Sequence, residues 1–166
     1  MAGMNDRVKA VAMDVDGVLT DGTFWWGTNG EEFKRFCFAD VTGIHAAQQA
    51  GIKVALISGE SSPAGMALVQ RYADKLGIID VYKGCRDKAA AIREFASKHQ
   101  LQLSEICFIG DDSIDAAAMA LVGFAVAPPD AHASAKSNAH LITTHKGGKG
   151  AVREVLDLIL EQLRTP

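Results

Sequence analysis

Hydrophobic positions along the chain fall into two kinds of run. Val8–Met13, Ile52–Ile57, Ile106–Ile109 and Phe124–Ala127 are short, largely apolar and β-prone, and each ends at Gly, Asp, Ser or Pro. Strands buried on both faces of a parallel sheet carry this pattern, because both faces need apolar cover. Between them the spacing predicts helices over Gly43–Ala50, Pro63–Leu76, Asp87–His99 and Ile114–Leu121, with a closing helix over Gly150–Leu163. In that last stretch Val152, Val155, Leu156, Ile159, Leu160 and Leu163 recur every three or four residues, which makes an apolar stripe along one side. Strand–helix alternation predicts right-handed crossovers and a doubly wound, Rossmann-like α/β fold, a parallel sheet between two helical layers. With 166 residues there is room for one domain, 1–166, and halving it would leave two marginal cores.

One segment breaks the alternation. From Gly22 to Phe38 two β-prone runs flank Thr28-Asn29-Gly30, a turn signal, so a β-hairpin flap is predicted over residues 22–38. Trp25 and Trp26 are adjacent and leave opposite faces of such a ribbon, so both faces call for cover. Either one face packs on this domain and the other is partly wet, or a second subunit covers it; the second reading is preferred.

Composition narrows the function classes. The chain is 48% hydrophobic and 22% charged, which separates it from disordered sequences. Its net charge of −3 provides no field for nucleic acid or anionic lipid, so an anionic substrate needs a local site. Cys37, Cys85 and Cys107 lack CxxC or Cys/His spacing, which argues against a disulfide framework or structural zinc; Cys37 and Cys107 sit in apolar runs and read as small buried hydrophobes. The N-terminal MAGMNDRVKA has no secretory-type apolar segment and no stretch approaches roughly 18 apolar residues, so a cytoplasmic location is the expectation.

Open α/β sheets bind ligands at the carboxyl ends of their strands. There the apolar runs give way to Asp14-Val15-Asp16-Gly17, to Ser58-Gly59, and to Gly110-Asp111-Asp112 with Asp115 one turn on. Helix caps and turns account for one or two such acids. Up to five on one edge repel unless a cation shares them, and oxygen ligands select a hard ion such as Mg2+. Ser58 and Gly59 offer a hydroxyl and backbone amides to a phosphoryl group, and Lys88 offers an ammonium.

The ordered set of Asp14-Val15-Asp16-Gly17, Ser58, Lys88 and Gly110-Asp111-Asp112 resembles the four signature motifs of the haloacid dehalogenase superfamily of phosphohydrolases. DVDGVLTDG, the hairpin, IGDDSID and GGKGAVREV together resemble its capless phosphatases acting on 3-deoxy-D-manno-octulosonate 8-phosphate and related keto-deoxy sugar acid phosphates, enzymes of lipopolysaccharide biosynthesis. The likeness runs over roughly Val8 to Leu163. It implies that Asp14 attacks phosphorus and that Asp16 serves as general acid and then base. It further implies that Asp14, the Asp16 carbonyl and Asp111 ligate magnesium, with Asp112 and Asp115 farther out, and that Ser58, Gly59 and Lys88 hold the phosphoryl group. A homotetramer is implied as well, the hairpin of a neighbouring subunit closing each site in place of a cap domain, for which the sequence has no insert.

Two positions depart from the octulosonate-phosphate pattern. Glu60 stands where Arg is usual and resembles the branch acting on the nine-carbon keto-deoxy-nonulosonate 9-phosphate; an acid there repels a substrate carboxylate and accepts hydrogen bonds from hydroxyls. Val41, beside Asp40, replaces a glycine near the expected sugar pocket. Glu60 and Asp40 are therefore the candidate specificity residues. A receiver-like signalling module shares the sheet and the acids, but it places its phosphoacceptor Asp after the third strand and its lysine after the fifth, whereas here Gly110-Asp111-Asp112 follows Lys88. A catalytically silent interaction domain is disfavoured because every signature residue is present.

Overall fold

In the computed structural model, residues 8–164 are described. Six parallel strands form one sheet: β1 (Ala10–Met13), β4 (Lys53–Ile57), β5 (Asp80–Tyr82), β6 (Ile106–Ile109), β7 (Phe124–Ala127) and β8 (Leu141–Ile142). Their spatial order is β5-β4-β1-β6-β7-β8. The chain thus leaves β1 toward one edge and later returns to β6 on its other side, and the carboxyl ends of β1 and β6 flank the point where the order reverses. That is where an open α/β sheet forms a ligand crevice.

Both faces of the sheet are dry. Val11 and Met13 pack with α1 (Phe38–Gln49), α2 (Pro63–Leu76) and α6 (Ala151–Arg164), whereas Ala10 and Ala12 pack with α3 (Lys88–Lys98), α4 (Ala116–Met119) and α5 (Ala133–Asn138). Alternate residues of one strand feed two separate cores, which is why the strands read as unbroken apolar runs. The expected stripe on α6 buries Val152, Val155, Leu156 and Ile159, while Leu160 and Leu163 are half-buried at its margin.

Several boundaries have local chemical causes. Ser62 caps α2 by accepting from the Gly65 amide at 3.1 Å, Pro63 opens it, and Gly77 closes it in a left-handed conformation at φ 64°. Asp87 caps α3 through the Ala90 amide at 2.9 Å. α1 begins at Phe38, five residues ahead of the expected Gly43. Gly43 lies inside the helix because α6 passes too close for a side chain: a Cβ there would stand 2.8 Å from Arg153 Cδ. The helix expected over Ile114–Leu121 is a 3-10 turn, Ser113–Asp115, running into the short α4.

The hairpin forms, but its ladder is short: β2 (Trp25–Trp26) pairs antiparallel with β3 (Glu32–Phe33). Gly27 and Glu31 close the turn, the Gly27 amide donating to the Glu31 carbonyl at 2.8 Å. Among the described residues nothing covers the two tryptophans, and Trp25 and Trp26 are 56% and 73% exposed. Phe36 anchors the exit limb by stacking on Tyr72 of α2, ring centres 4.2 Å apart. Cys107 is buried as expected, whereas Cys37 is only half-buried at the start of α1.

Candidate active site

The first acid follows β1 directly. Asp14 is 5% exposed, and its Oδ1 accepts the Val15 amide at 2.7 Å. Its Oδ2 lies 2.8 Å from Lys88 Nζ, which also stands 2.7 Å from Asp115 Oδ1. Lys88 occupies the first turn of α3 and is buried to 1% exposure. Removal from water alone would lower its pKa, but the charges of Asp14 and Asp115 outweigh that and raise it. Lys88 therefore stays an ammonium, buried between two carboxylates.

Burial pushes the Asp14 carboxyl up to about 6 against the pull of Lys88. Asp111, two residues past β6, is pushed up to about 8 by burial and by the charges of Asp14 and Asp115. Asp115 is fully buried, and its Oδ2 accepts the amides of Asp111 at 2.9 Å and Asp112 at 3.0 Å, which folds that loop around it. Asp14, Asp111 and Asp115 each bring one carboxylate oxygen within 4.8 Å of the others. Asp111 Oδ1 is buried there without a hydrogen-bond partner. Three acids against one lysine leave excess negative charge, and an all-oxygen donor set with an orphaned carboxylate oxygen fits a hard divalent cation such as Mg2+. Gly17 makes this closeness possible, since a Cβ on it would overlap the Asp111 carboxylate.

A cavity of about 390 Å³ opens beside this cluster, lined among others by Asp14, Asp16, Gly59, Glu60, Asp111 and Asp112. Most of the predicted site residues thus meet at one place. Ser58 sits just behind it at 1% exposure, its Oγ accepting the Glu60 amide at 3.1 Å. Asp112 is exposed at the rim and caps the following turn through the Ser113 amide. Asp115, expected farther out, is in the centre of the cluster.

Asp40 is the correction. It does not line the cavity; it is fully buried within α1, where Oδ1 accepts the Arg153 amide at 2.8 Å and caps the start of α6. Val41 beside it is a core residue. With the helix starting at Phe38, this stretch turns inward rather than toward substrate.

Lys34 was not singled out from the sequence, yet it lines the cavity. Its Nζ lies 2.9 Å from Asp16 Oδ1 and 3.4 Å from both Glu60 Oε2 and Glu32 Oε1. The spacing held a signal: Glu32 and Lys34 are two apart on the ribbon and so share a face. The Gly147–Gly150 segment also takes a definite place. The Gly148 amide donates to the Val18 carbonyl at 2.9 Å, and a Cβ on Gly147 would overlap the Gly17 carbonyl oxygen, so this strap braces the loop that carries Asp16.

The family model of haloacid dehalogenase-like hydrolases matches residues 66–156. The chain belongs to the haloacid dehalogenase-like hydrolases. Within them it is 42% identical over 154 residues to the 3-deoxy-D-manno-octulosonate 8-phosphate phosphatase of Yersinia pestis, covering 93% of this chain and 80% of that one. The phosphatase of that name from Escherichia coli K12 is 39% identical over 155 residues, with the same coverage. Among solved structures, the Moraxella catarrhalis phosphatase in complex with magnesium, phosphate and KDO superposes with a TM-score of 0.88 at 40% identity, over 93% of this chain and 87% of that chain. A cobalt-bound phosphatase from Haemophilus influenzae superposes at 0.86 with 37% identity, over 93% and 88%. In this hydrolase the expected sheet and the absence of a cap domain both hold, and no helix among the described residues is long and apolar enough to cross a membrane.

Proposed function

We propose that this protein is a magnesium-dependent phosphatase that hydrolyses 3-deoxy-D-manno-octulosonate 8-phosphate to the free sugar acid and phosphate. One observation carries the reading. The acids Asp14, Asp111 and Asp115 converge with Lys88 at the edge of a cavity, in a chain 40% identical to an enzyme whose structure holds magnesium, phosphate and KDO.

Asp14 would be the nucleophile: one of its oxygens forms a bond to phosphorus while the ester oxygen leaves. Lys88 keeps that carboxylate ionised against the cost of burial and meets the incoming phosphoryl charge. Asp16, two residues on and open to the cavity, would give its proton to the leaving alcohol and later take one from the water that opens the aspartyl-phosphate. Ser58 accepts from Glu60 but keeps its own hydroxyl hydrogen to donate, and the Gly59 backbone borders the cavity. Asp14, Asp111, Asp115 and the Asp16 carbonyl would hold Mg2+, which supplies charge neutralisation at the phosphoryl oxygens.

Glu60 favours a second reading, a nine-carbon keto-deoxy-nonulosonate 9-phosphate as substrate. Its carboxylate borders the cavity, where it can accept from sugar hydroxyls. The exposed Phe24, Trp25, Trp26 and Phe33 on the hairpin support a homotetramer in which a neighbour's hairpin closes each site. The test is magnesium-dependent phosphate release from both sugar acid phosphates, with specificity constants compared and with Asp14→Asn as the inactive control. Turnover undiminished in Asp14→Asn would overturn the mechanism, and a large preference for the nine-carbon ester would transfer the assignment to the second substrate.

A further inference from the structure

The hairpin is exposed along most of its length, but Lys34 is not. Its side chain is 2% exposed, and three carboxylates from three separate segments surround the ammonium: Asp16 after β1, Glu32 in β3 and Glu60 after β4. The contact with Asp16 Oδ1 is the shortest of the three at 2.9 Å. Among the described residues the Asp16 side chain has no other hydrogen bond or ion pair. Its second oxygen, Oδ2, is left free in the cavity that Asp16 lines.

A proton donor in a phosphate ester cleavage has to present one oxygen to the leaving group and then to water. A lone aspartate beside an open cavity rotates between side-chain orientations, and only some bring that oxygen into line. We infer that Lys34 is a positioning residue for Asp16: it pins Oδ1 to the hairpin and so fixes Oδ2 as the oxygen that exchanges the proton. This rests on the phosphatase reading above. In the first step Asp14 bonds to phosphorus, the phosphorus–ester oxygen bond breaks, and the proton on Asp16 Oδ2 passes to that oxygen. In the second, water bonds to phosphorus, its proton passes to Oδ2, and the Asp14 oxygen leaves as a carboxylate. Lys34 itself exchanges nothing. It also ties the placement of Asp16 to the hairpin that carries Lys34. Glu60 and Glu32 share the same ammonium and hold it from the far side. A purely structural role, with Lys34 merely fastening the hairpin, would affect all substrates alike.

Leaving groups separate the two roles. Release of 4-nitrophenolate from 4-nitrophenyl phosphate needs little help from an acid, whereas release of an alkoxide from an alkyl ester depends on it. The holoenzyme and Lys34→Met are compared on 3-deoxy-D-manno-octulosonate 8-phosphate and on 4-nitrophenyl phosphate, with rapid mixing to follow the first turnover. The expected result is a fall of about a hundredfold in kcat on the alkyl ester with little change in KM. The first-turnover burst of nitrophenolate should survive, followed by a slowed steady state as the second step loses its base. Lys34→Arg, which keeps a cation against Asp16, should recover most of the alkyl rate. Lys34→Gln guards against a Met variant that does not fold, and the same selective loss is required of it. Equal losses in the first-turnover rate on the two esters, or no loss on either, overturn the inference while leaving the phosphatase reading intact. An unsubstituted protein that hydrolyses neither ester overturns both.

Discussion

Asp40 offers a quantitative test of the fold because its environment fixes both the sign and the size of a pH effect. Its carboxyl is fully buried beneath the start of α6; Oδ1 accepts the Arg153 amide, but Oδ2 is buried without a partner. Burial raises its pKa from 3.8 to about 6, although the Arg153 and Gly150 amides oppose the shift. In the unfolded chain the group titrates near its ordinary value. Below about pH 4 both states are protonated and the buried group costs nothing electrostatically. Between 4 and 6 the unfolded chain gives up its proton while the folded protein retains it, so stability falls as pH rises. Above 6 both are ionised and the loss is complete. At about 1.4 kcal/mol per pKa unit the total loss is roughly 3 kcal/mol. Asp40→Asn keeps an acceptor for the Arg153 amide and removes the charge. Its amide hydrogens lack a buried acceptor, which costs roughly 1–3 kcal/mol, but that cost is the same at every pH. The variant should therefore gain about 3 kcal/mol on the wild type between pH 4 and pH 7.5, whatever their order at pH 4. Urea denaturation of the two metal-free proteins across that range reads the difference directly. A gap that stays flat, or that moves in the opposite direction, would show that Asp40 carries its charge without penalty and that the cap has been misread.

Lys88→Met should cost about a hundred- to a thousandfold in kcat, because Asp14 loses the buried cation beside it and the phosphoryl group its ammonium; circular dichroism should show the fold retained with magnesium present. Gly147→Ala should lower kcat by tens of times through displacement of the Gly17 backbone beside Asp16, visible as a lower melting temperature and an unchanged pattern of substrate preference. Magnesium binding should release protons at pH 7, since metal-free Asp111 is pushed up to about 8 and only a carboxylate ligates. Apparent affinity should therefore rise from pH 6 to pH 8, and titration calorimetry in buffers of different ionisation enthalpy counts the protons; zero release would place the ion elsewhere.

Much of the architecture was legible because the four central strands are buried on both faces. Full burial writes itself as a short apolar run, and the polar residue that ends each run marks the carboxyl edge of the sheet. Asp14, Ser58 and Asp111 were found by that rule alone. β5, β8 and α5 escaped it: they are three, two and six residues long, too short to show a period, and β5 opens on Asp80. Asp40 was set near the sugar pocket from the family resemblance around Val41, whereas α1 starts at Phe38 and turns Asp40 under α6, with Gly43 letting the two helices approach. Lys34 was only half legible, since the spacing shows the face it shares with Glu32 but not what covers that face. Its partners lie at positions 16, 32 and 60, so only the tertiary fold reveals that a lysine on an exposed ribbon is buried.

Asp14 and Asp16 are separated by one residue, yet each has its own lysine. Lys88 reaches Asp14 from α3 behind the sheet edge, at 1% exposure and away from solvent. Lys34 reaches Asp16 from the hairpin in front. The division follows from what the two carboxylates have to do. A nucleophile gains from desolvation but must remain ionised, so its cation has to be permanent and built into the core. An acid–base group has to meet both the leaving oxygen and water, so it stays open to the cavity and takes its cation from the hairpin beside it. If the two lysines exchanged these roles, Asp14 would depend on hairpin docking for its charge. Placing Lys88 in the core keeps the nucleophile charged independently of the hairpin, which supplies only the cation beside Asp16.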